Sequence, residues 1–227
     1  MIISLTLTQN IMKIYFDGCS HTWGAELQNP QQSRYSKLVC DYFGAEEYNI
    51  ALQGGSNMRL ARNILDHDLS EYDMFVIQFT HKVRGEWYDN INNKWIKIER
   101  ERRDLDKNDQ RRKDIKQAWN LYHKEIYTDE LGSLNSRIYY NLIKHMLRDK
   151  PLVTLGIEFK YDFSFGTKNI DTIGAPVDIR YKTGEPKKFM GKYLGSNSGK
   201  RLPRFPYAHP NEDGHKIIAE DVIKFLS

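Results

Sequence analysis

The stretch KIYFDGCSHTWG, residues 13–24, decides the fold. Lys13 to Asp17 form a short run of β-formers that stops at Gly18-Cys19-Ser20, and a helix-forming segment follows. The same alternation continues outward from it. Ser33 to Phe43 has helical spacing, with Tyr35, Leu38, Val39 and Tyr42 on one stripe. Glu47 to Leu52 reads as a second strand, closed by Gly54-Gly55-Ser56-Asn57, and Met58 to Leu69 as a helix capped by Ser56 or Asn57. Asp73 to Phe79 and Pro151 to Ile157 are nearly unbroken apolar runs of strand length, as expected for strands covered on both faces. Between them, Trp87 to Trp95 reads as a loop or hairpin around Asn92-Asn93, and Ile115–Ile126 and Leu131–Leu147 as helices. Ile217, Ile218, Val222, Ile223 and Leu226 mark a closing amphipathic helix. Strands alternating with helices predict an α/β domain of three layers, α/β/α, around a mainly parallel sheet.

The 227 residues are 40% hydrophobic and 28% charged, a globular composition that excludes wholesale disorder. No apolar run approaches the ~18 residues of a membrane span. MIISLTLTQN lacks the basic start of a secretory signal, so residues 1–11 are expected to be an extension ahead of one domain over 12–227. Two cysteines make no disulfide framework, and a reducing, cytoplasmic setting follows as the expectation. The net charge of +4 is small but unevenly placed. Arg180 to Arg204 carries +7 and the remainder −3, and Gly184, Gly191, Gly195 and Gly199 within it suggest a long mobile basic loop at about 180–204. A charged insertion is expected at about 85–125, where Lys97 to Lys116 carries nine basic and six acidic residues, the pattern of a solvated helix or a partly disordered excursion.

In a parallel sheet the ligand crevice lies beyond the carboxyl ends of the strands. That directs attention to residues 18–24, 54–57 and 80–84, and to the segment before the last helix. Ser20 sits on a turn where a hydroxyl and free backbone N–H groups can serve acyl transfer as nucleophile and oxyanion donors. His209 precedes Pro210, so its backbone is extended and its ring is held in a connecting loop, where it can act as general base. His215, six positions on, falls on a different helix face and reads as structural. Asp17 reads as a turn hydrogen-bonder and Cys19 as packing.

These residues resemble three blocks of the SGNH (GDSL-type) hydrolases, with the flavour of the small SGNH-like proteins of tailed phages. Gly18-Cys19-Ser20-His21-Thr22-Trp23-Gly24 is similar to the first block, with cysteine in place of the usual aspartate. Asn49 to Asn57 is similar to the second, and His209-Pro210-Asn211 through Gly214-His215 to the last. The resemblance implies a flavodoxin-like fold, Ser20 and His209 as a catalytic pair, and an oxyanion hole from Ser20 and Gly54. Asn57 and Thr80 are expected as further donors, with His81 or Lys82 as alternatives to Thr80, and His21, Trp23, His81 and Arg84 are expected around the substrate. No metal or organic cofactor is required. An esterase or carbohydrate O-deacetylase follows, acting on a small-molecule or carbohydrate ester that the basic loop would select for negative charge.

Two departures stand out. The family's aspartate three residues before the histidine is replaced by Pro206, which leaves the imidazole to another carboxylate or to a backbone carbonyl. The asparagine that ends the third block is missing, since Thr80-His81-Lys82 follows the strand. These departures define two rivals. One is a binding module on a decayed site, for an anionic partner such as nucleic acid, which is not the favoured partner. The other is a metal-dependent phosphoesterase with Asp17, His21, His81 and His209 as ligands.

Overall fold

The structure, a computed structural model, describes residues 11–98, 110–156, 177–181, 191–194, 201–202 and 209–227. Strand β1 (Lys13–Asp17) leads into the short helix α1 (Ser20–Trp23), followed by α2 (Pro30–Ser33), α3 (Tyr35–Phe43) and β2 (Glu46–Asn49). Helix α4 (Asn57–Asp66) crosses to β3 (Met74–Phe79), and β4 (Gly85–Asp89) pairs with β5 (Lys94–Ile98) as an antiparallel hairpin. Helices α5 (Gln110–Glu125) and α6 (Asp129–Met146) return the chain to β6 (Leu152–Gly156). The described remainder is β7 (Val177–Tyr181), β8 (Gly191–Leu194), β9 (Arg201–Leu202) and α7 (Glu212–Leu226).

The central sheet runs β2-β1-β3-β6-β7-β8-β9, parallel from β2 through β7 and antiparallel beyond. Strand order therefore reverses between β1 and β3, the switch point at which doubly wound sheets open a crevice. Period-two alternation assigns the two faces. Ile14, Phe16, Val76, Val153 and Leu155 pack under α3 and α7 through Tyr35, Val39, Ile218 and Val222. Tyr15, Phe75, Ile77 and Phe79 pack under α4 and α6 through Leu60, Ile64, Tyr140 and Ile143. Each such side chain, fully buried, contributes about 1.5–3 kcal/mol. Among the described residues no helix is long and apolar enough to cross a membrane.

Several expectations shift. The helix expected over residues 33–43 starts at Tyr35, because Arg34 adopts an extended conformation (φ −68°, ψ 147°) and pairs with Glu47 at 2.8 Å, and Ser33 instead ends α2. Tyr42, placed on the apolar stripe, is 63% exposed. The second strand ends at Asn49, although Ile50 and Leu52 still donate to Phe16 and Gly18 carbonyls on the β1 side. The stretch read as a basic loop contains strand at residues 180–181, 191–194 and 201–202, where runs of two to five residues are too short to show a period. Residues 99–109 of the charged insertion, and Pro206, lie outside the described residues; residues 110–116 are helical.

Candidate active site

The turn after β1 is built tightly. A Cβ on Gly18 would lie 2.8 Å from the Gln78 Cβ, so only glycine lets β1 turn this close to β3. Gln78, fully buried, accepts from the Thr22 N–H at 3.2 Å and the Thr22 hydroxyl at 2.7 Å, which pins α1 to β3. Cys19 is buried and reaches Gln78 Oε1 at 3.5 Å, consistent with a packing role. Asp17, also fully buried, accepts from the Gly18 N–H, Arg59 and Asn63 at 2.6–2.7 Å. Burial raises its pKa, and the Arg59 charge with those hydrogen bonds opposes the rise. Asp17 therefore fastens the turn to α4.

Ser20 opens α1 and is 8% exposed. The Gly24 and Ala25 N–H groups both bond to its carbonyl at 2.9–3.0 Å, and the chain then passes through left-handed conformations at Gly24 (φ 86°) and Glu26 (φ 72°). A positive φ at a glutamate is uncommon and carries a local cost of order 1–3 kcal/mol. Its effect here is plain. Glu26 Oε1 lies 2.9 Å from His209 Nδ1, both side chains about a quarter exposed (24% and 25%). Sequence reasoning missed Glu26, because an acid six residues past the serine carries no signal of its own.

His209 also meets the ring of His21, the residue after Ser20, edge-on at 5.3 Å. With Glu26 Oε1 as the acceptor, His209 Nδ1 is the donor of this contact and Nε2 is the ring nitrogen left for another partner. Asn211 caps α7 by accepting from the Gly214 N–H at 3.0 Å, which fixes the helix start just past His209. His215 is fully buried, accepts from the Tyr35 N–H at 3.1 Å through Nδ1 and stacks on the Tyr35 ring. Burial, with a smaller contribution from His209, pushes its pKa down from 6.5 to about 3, so it stays neutral. The structural role read from the helix geometry holds.

The second segment closes against the first. A Cβ on Gly55 would lie 3.0 Å from the Gly18 carbonyl, and the preceding Gly54 is left-handed (φ 72°). Asn57 was expected to donate to an oxyanion. Instead its amide group donates to the Thr80 carbonyl (3.0 Å) and to Ser136 Oγ (3.1 Å), while its Oδ1 accepts from the Thr80 N–H (2.8 Å). Both amide hydrogens are committed, and Asn57 thus positions Thr80. Arg84 donates to Thr80 Oγ1 at 2.6 Å, which leaves the threonine's own hydroxyl proton for another acceptor.

Asn57 and Ser136 also line a cavity of about 260 Å³ bounded by α4, the segment from Lys82 to Trp87, α5 and α6. Of the four residues expected around substrate, Arg84 lines it, while His21, Trp23 and His81 do not. His21 is buried against His209, and Trp23 is 37% exposed. Of the residues named as metal ligands, His21 and His209 adjoin, whereas Asp17 faces Arg59 and Asn63, and no cluster of three His, Cys, Asp or Glu suited to a metal occurs among the described residues.

No protein-family model matches the chain, and no curated protein sequence matches it. Solved structures do. A G-D-S-L-family protein from Desulfitobacterium hafniense DCB-2 superposes with a TM-score of 0.51 at 10% identity, covering 94% of this chain and 99% of that one. The psychrotrophic esterase EstA from Pseudoalteromonas sp. gives 0.51 at 13% identity over 94% and 96%. A carbohydrate esterase whose active site displays divergent catalytic and non-catalytic binding functions gives 0.51 at 12% over 95% and 68%. At these identities the likeness is one of fold: the chain has the α/β fold of the SGNH (GDSL) hydrolases, shared with these G-D-S-L-family, esterase and carbohydrate esterase structures.

Proposed function

We propose that the protein hydrolyses ester bonds of a small-molecule or carbohydrate substrate, with Ser20 as nucleophile, His209 as general base and Glu26 as the carboxylate that orients the base. The observation that carries this reading is the 2.9 Å Glu26–His209 contact beside the Ser20 turn. It supplies the carboxylate that the Pro206 position lacks, and it leaves His209 Nε2 as the nitrogen for proton transfer.

In this reading Ser20 Oγ attacks the ester carbonyl as its proton passes to His209 Nε2. The backbone N–H groups of Ser20 and Gly54 and the Thr80 hydroxyl stabilise the tetrahedral oxyanion. The bond to the leaving alcohol then breaks, and His209 returns the proton to that oxygen. Water, deprotonated by the same nitrogen, releases the acid and restores the serine. Glu26 holds the ring and stabilises its protonated form. Each oxyanion donor contributes about 10²–10³ in turnover.

A fluorophosphonate probe followed by peptide mass spectrometry tests the proposal. Ser20 is the expected labelled residue, and labelling vanishes in His209→Ala. A folded wild-type protein that takes up no probe, or takes it up elsewhere, overturns it.

A further inference from the structure

The 260 Å³ cavity lies between the start of α4 and segments that leave the βαβ pattern: the chain from Lys82 into β4, then α5, Tyr127 and α6. Drug-sized sites run from about 300 to 1,000 Å³, so this one suits a single ring. Its walls are aromatic. Trp119 is 7% exposed and lies nearly parallel to Tyr122 (22°, centroids 6.0 Å apart), Tyr139 joins them from α6, and Trp87 stands at the rim, 46% exposed. Flat π-faces of this kind bind rings by stacking and by apolar contact.

The charges in the cavity are unequal. Glu86 lines it, but its carboxylate is held by Arg62 Nε at 3.0 Å and is therefore neutralised. Lys82 lines it, but its ammonium pairs with Asp129 at 3.2 Å and also reaches the Asp129 carbonyl and Ser133 Oγ. Arg84 differs. Among the described residues it meets no carboxylate, and its guanidinium makes a single hydrogen bond, to Thr80 Oγ1, through one of its nitrogens. A half-buried guanidinium in an aromatic-walled cavity, with a flat edge of donors uncommitted, matches a carboxylate bidentately.

We infer that this cavity binds a ring bearing a carboxylate, the ring lying against Trp119 and Tyr122 and the acid paired with Arg84. The inference rests on the reading above only in making this ring part of the ester substrate, through Asn57 and Arg84, which line the cavity and hold Thr80 of the proposed oxyanion site from its edge. It moves selection for negative charge from the basic stretch at residues 180–204 to one arginine. The ring could be a sugar acid or an aryl acid, and the chemistry at Arg84 is the same for both.

The test is a binding measurement, independent of catalysis. Galacturonate against galactose, and benzoate against benzyl alcohol, are titrated into the full-length wild-type protein by calorimetry and tryptophan fluorescence. In at least one pair the acid should bind about tenfold or more tightly than its neutral partner, and the pair that shows the preference identifies the ring. Arg84→Gln should abolish the preference, Trp119→Ala should weaken both members of the pair, and Lys82→Met should leave the preference in place. Circular dichroism establishes that each variant is folded. Equal affinities within both pairs, no binding of any of the four, or a preference that survives Arg84→Gln or disappears in Lys82→Met overturns the inference. Probe labelling at Ser20 without such a preference leaves the hydrolase reading standing alone, and the preference without labelling does the reverse.

Discussion

Glu26→Gln removes one negative charge and little else. The amide oxygen can still accept from His209 Nδ1–H across 2.9 Å, so the ring keeps a partner while losing the charge that stabilises it when protonated. A hydrogen bond to a charged acceptor is worth ~1.5–3 kcal/mol and a neutral one ~0.5–1.5, a difference of about 1–2 kcal/mol. Solvent reaches both side chains, 24% and 25% exposed, which places the effect toward the lower end. One to two kcal/mol corresponds to about 5- to 30-fold in rate. Glu26→Ala, which also frees the ring to rotate, should cost about 10²-fold or more. The assay is steady-state hydrolysis of p-nitrophenyl acetate, with kcat and KM separated and fluorophosphonate labelling followed in parallel. Both variants should lower kcat and the labelling rate together, with KM nearly unchanged and the thermal midpoint close to wild type. A merely structural glutamate would shift the midpoint and leave the labelling rate of the folded fraction alone. Wild-type kcat in a folded Glu26→Ala protein would refute the reasoning.

Ser20→Ala and His209→Ala should each reduce ester turnover to background in folded protein, as measured with the same substrate. Thr80→Val, which keeps the shape and removes the hydroxyl, should lower kcat about 10²–10³-fold if that hydroxyl faces the oxyanion, and stopped-flow acylation rates check it. Gly18→Ala forces a methyl to 2.8 Å from the Gln78 Cβ, and urea unfolding should show a loss of about 1–3 kcal/mol. Because His215 is held neutral with its pKa at about 3 against 6.5 when unfolded, the unfolded chain binds the extra proton first. Stability should therefore fall as pH drops from 6.5 toward 3, and His215→Gln should flatten that part of the curve in chemical denaturation.

The sequence showed most clearly what repeats. Strands β1, β3 and β6 announced themselves because apolar runs buried on both faces have no other use in a chain this polar, and α7 because its apolar residues keep a strict stripe. Ser20 and Thr80 drew attention because they follow strands, His209 because it precedes the closing helix, and Gly54 through the resemblance of its segment to a family block. Glu26 was not, since its role depends on two successive left-handed turns that no spacing rule predicts. The aromatic cavity was equally hidden. Trp87, Trp119 and Tyr139 are up to 52 positions apart and converge only once the β4–β5 hairpin, α5 and α6 have packed. Asn57 was found for the wrong reason: its neighbourhood was right, but a carboxamide has two hydrogens, and only the folded chain reveals that both are taken.

The Glu26–His209 contact joins positions 183 residues apart. Where an acid lies three residues before its histidine, base and orienter arrive together on one loop. Here Ser20 and Glu26 both lie in the segment just after β1, and His209 joins them from 183 residues further along. If these residues act as proposed, activity becomes a report on closure: the imidazole meets Glu26 only once the segment leading into α7 has docked beside the first turn, so any loosening of α7 from its sheet face would be read first as lost ester turnover.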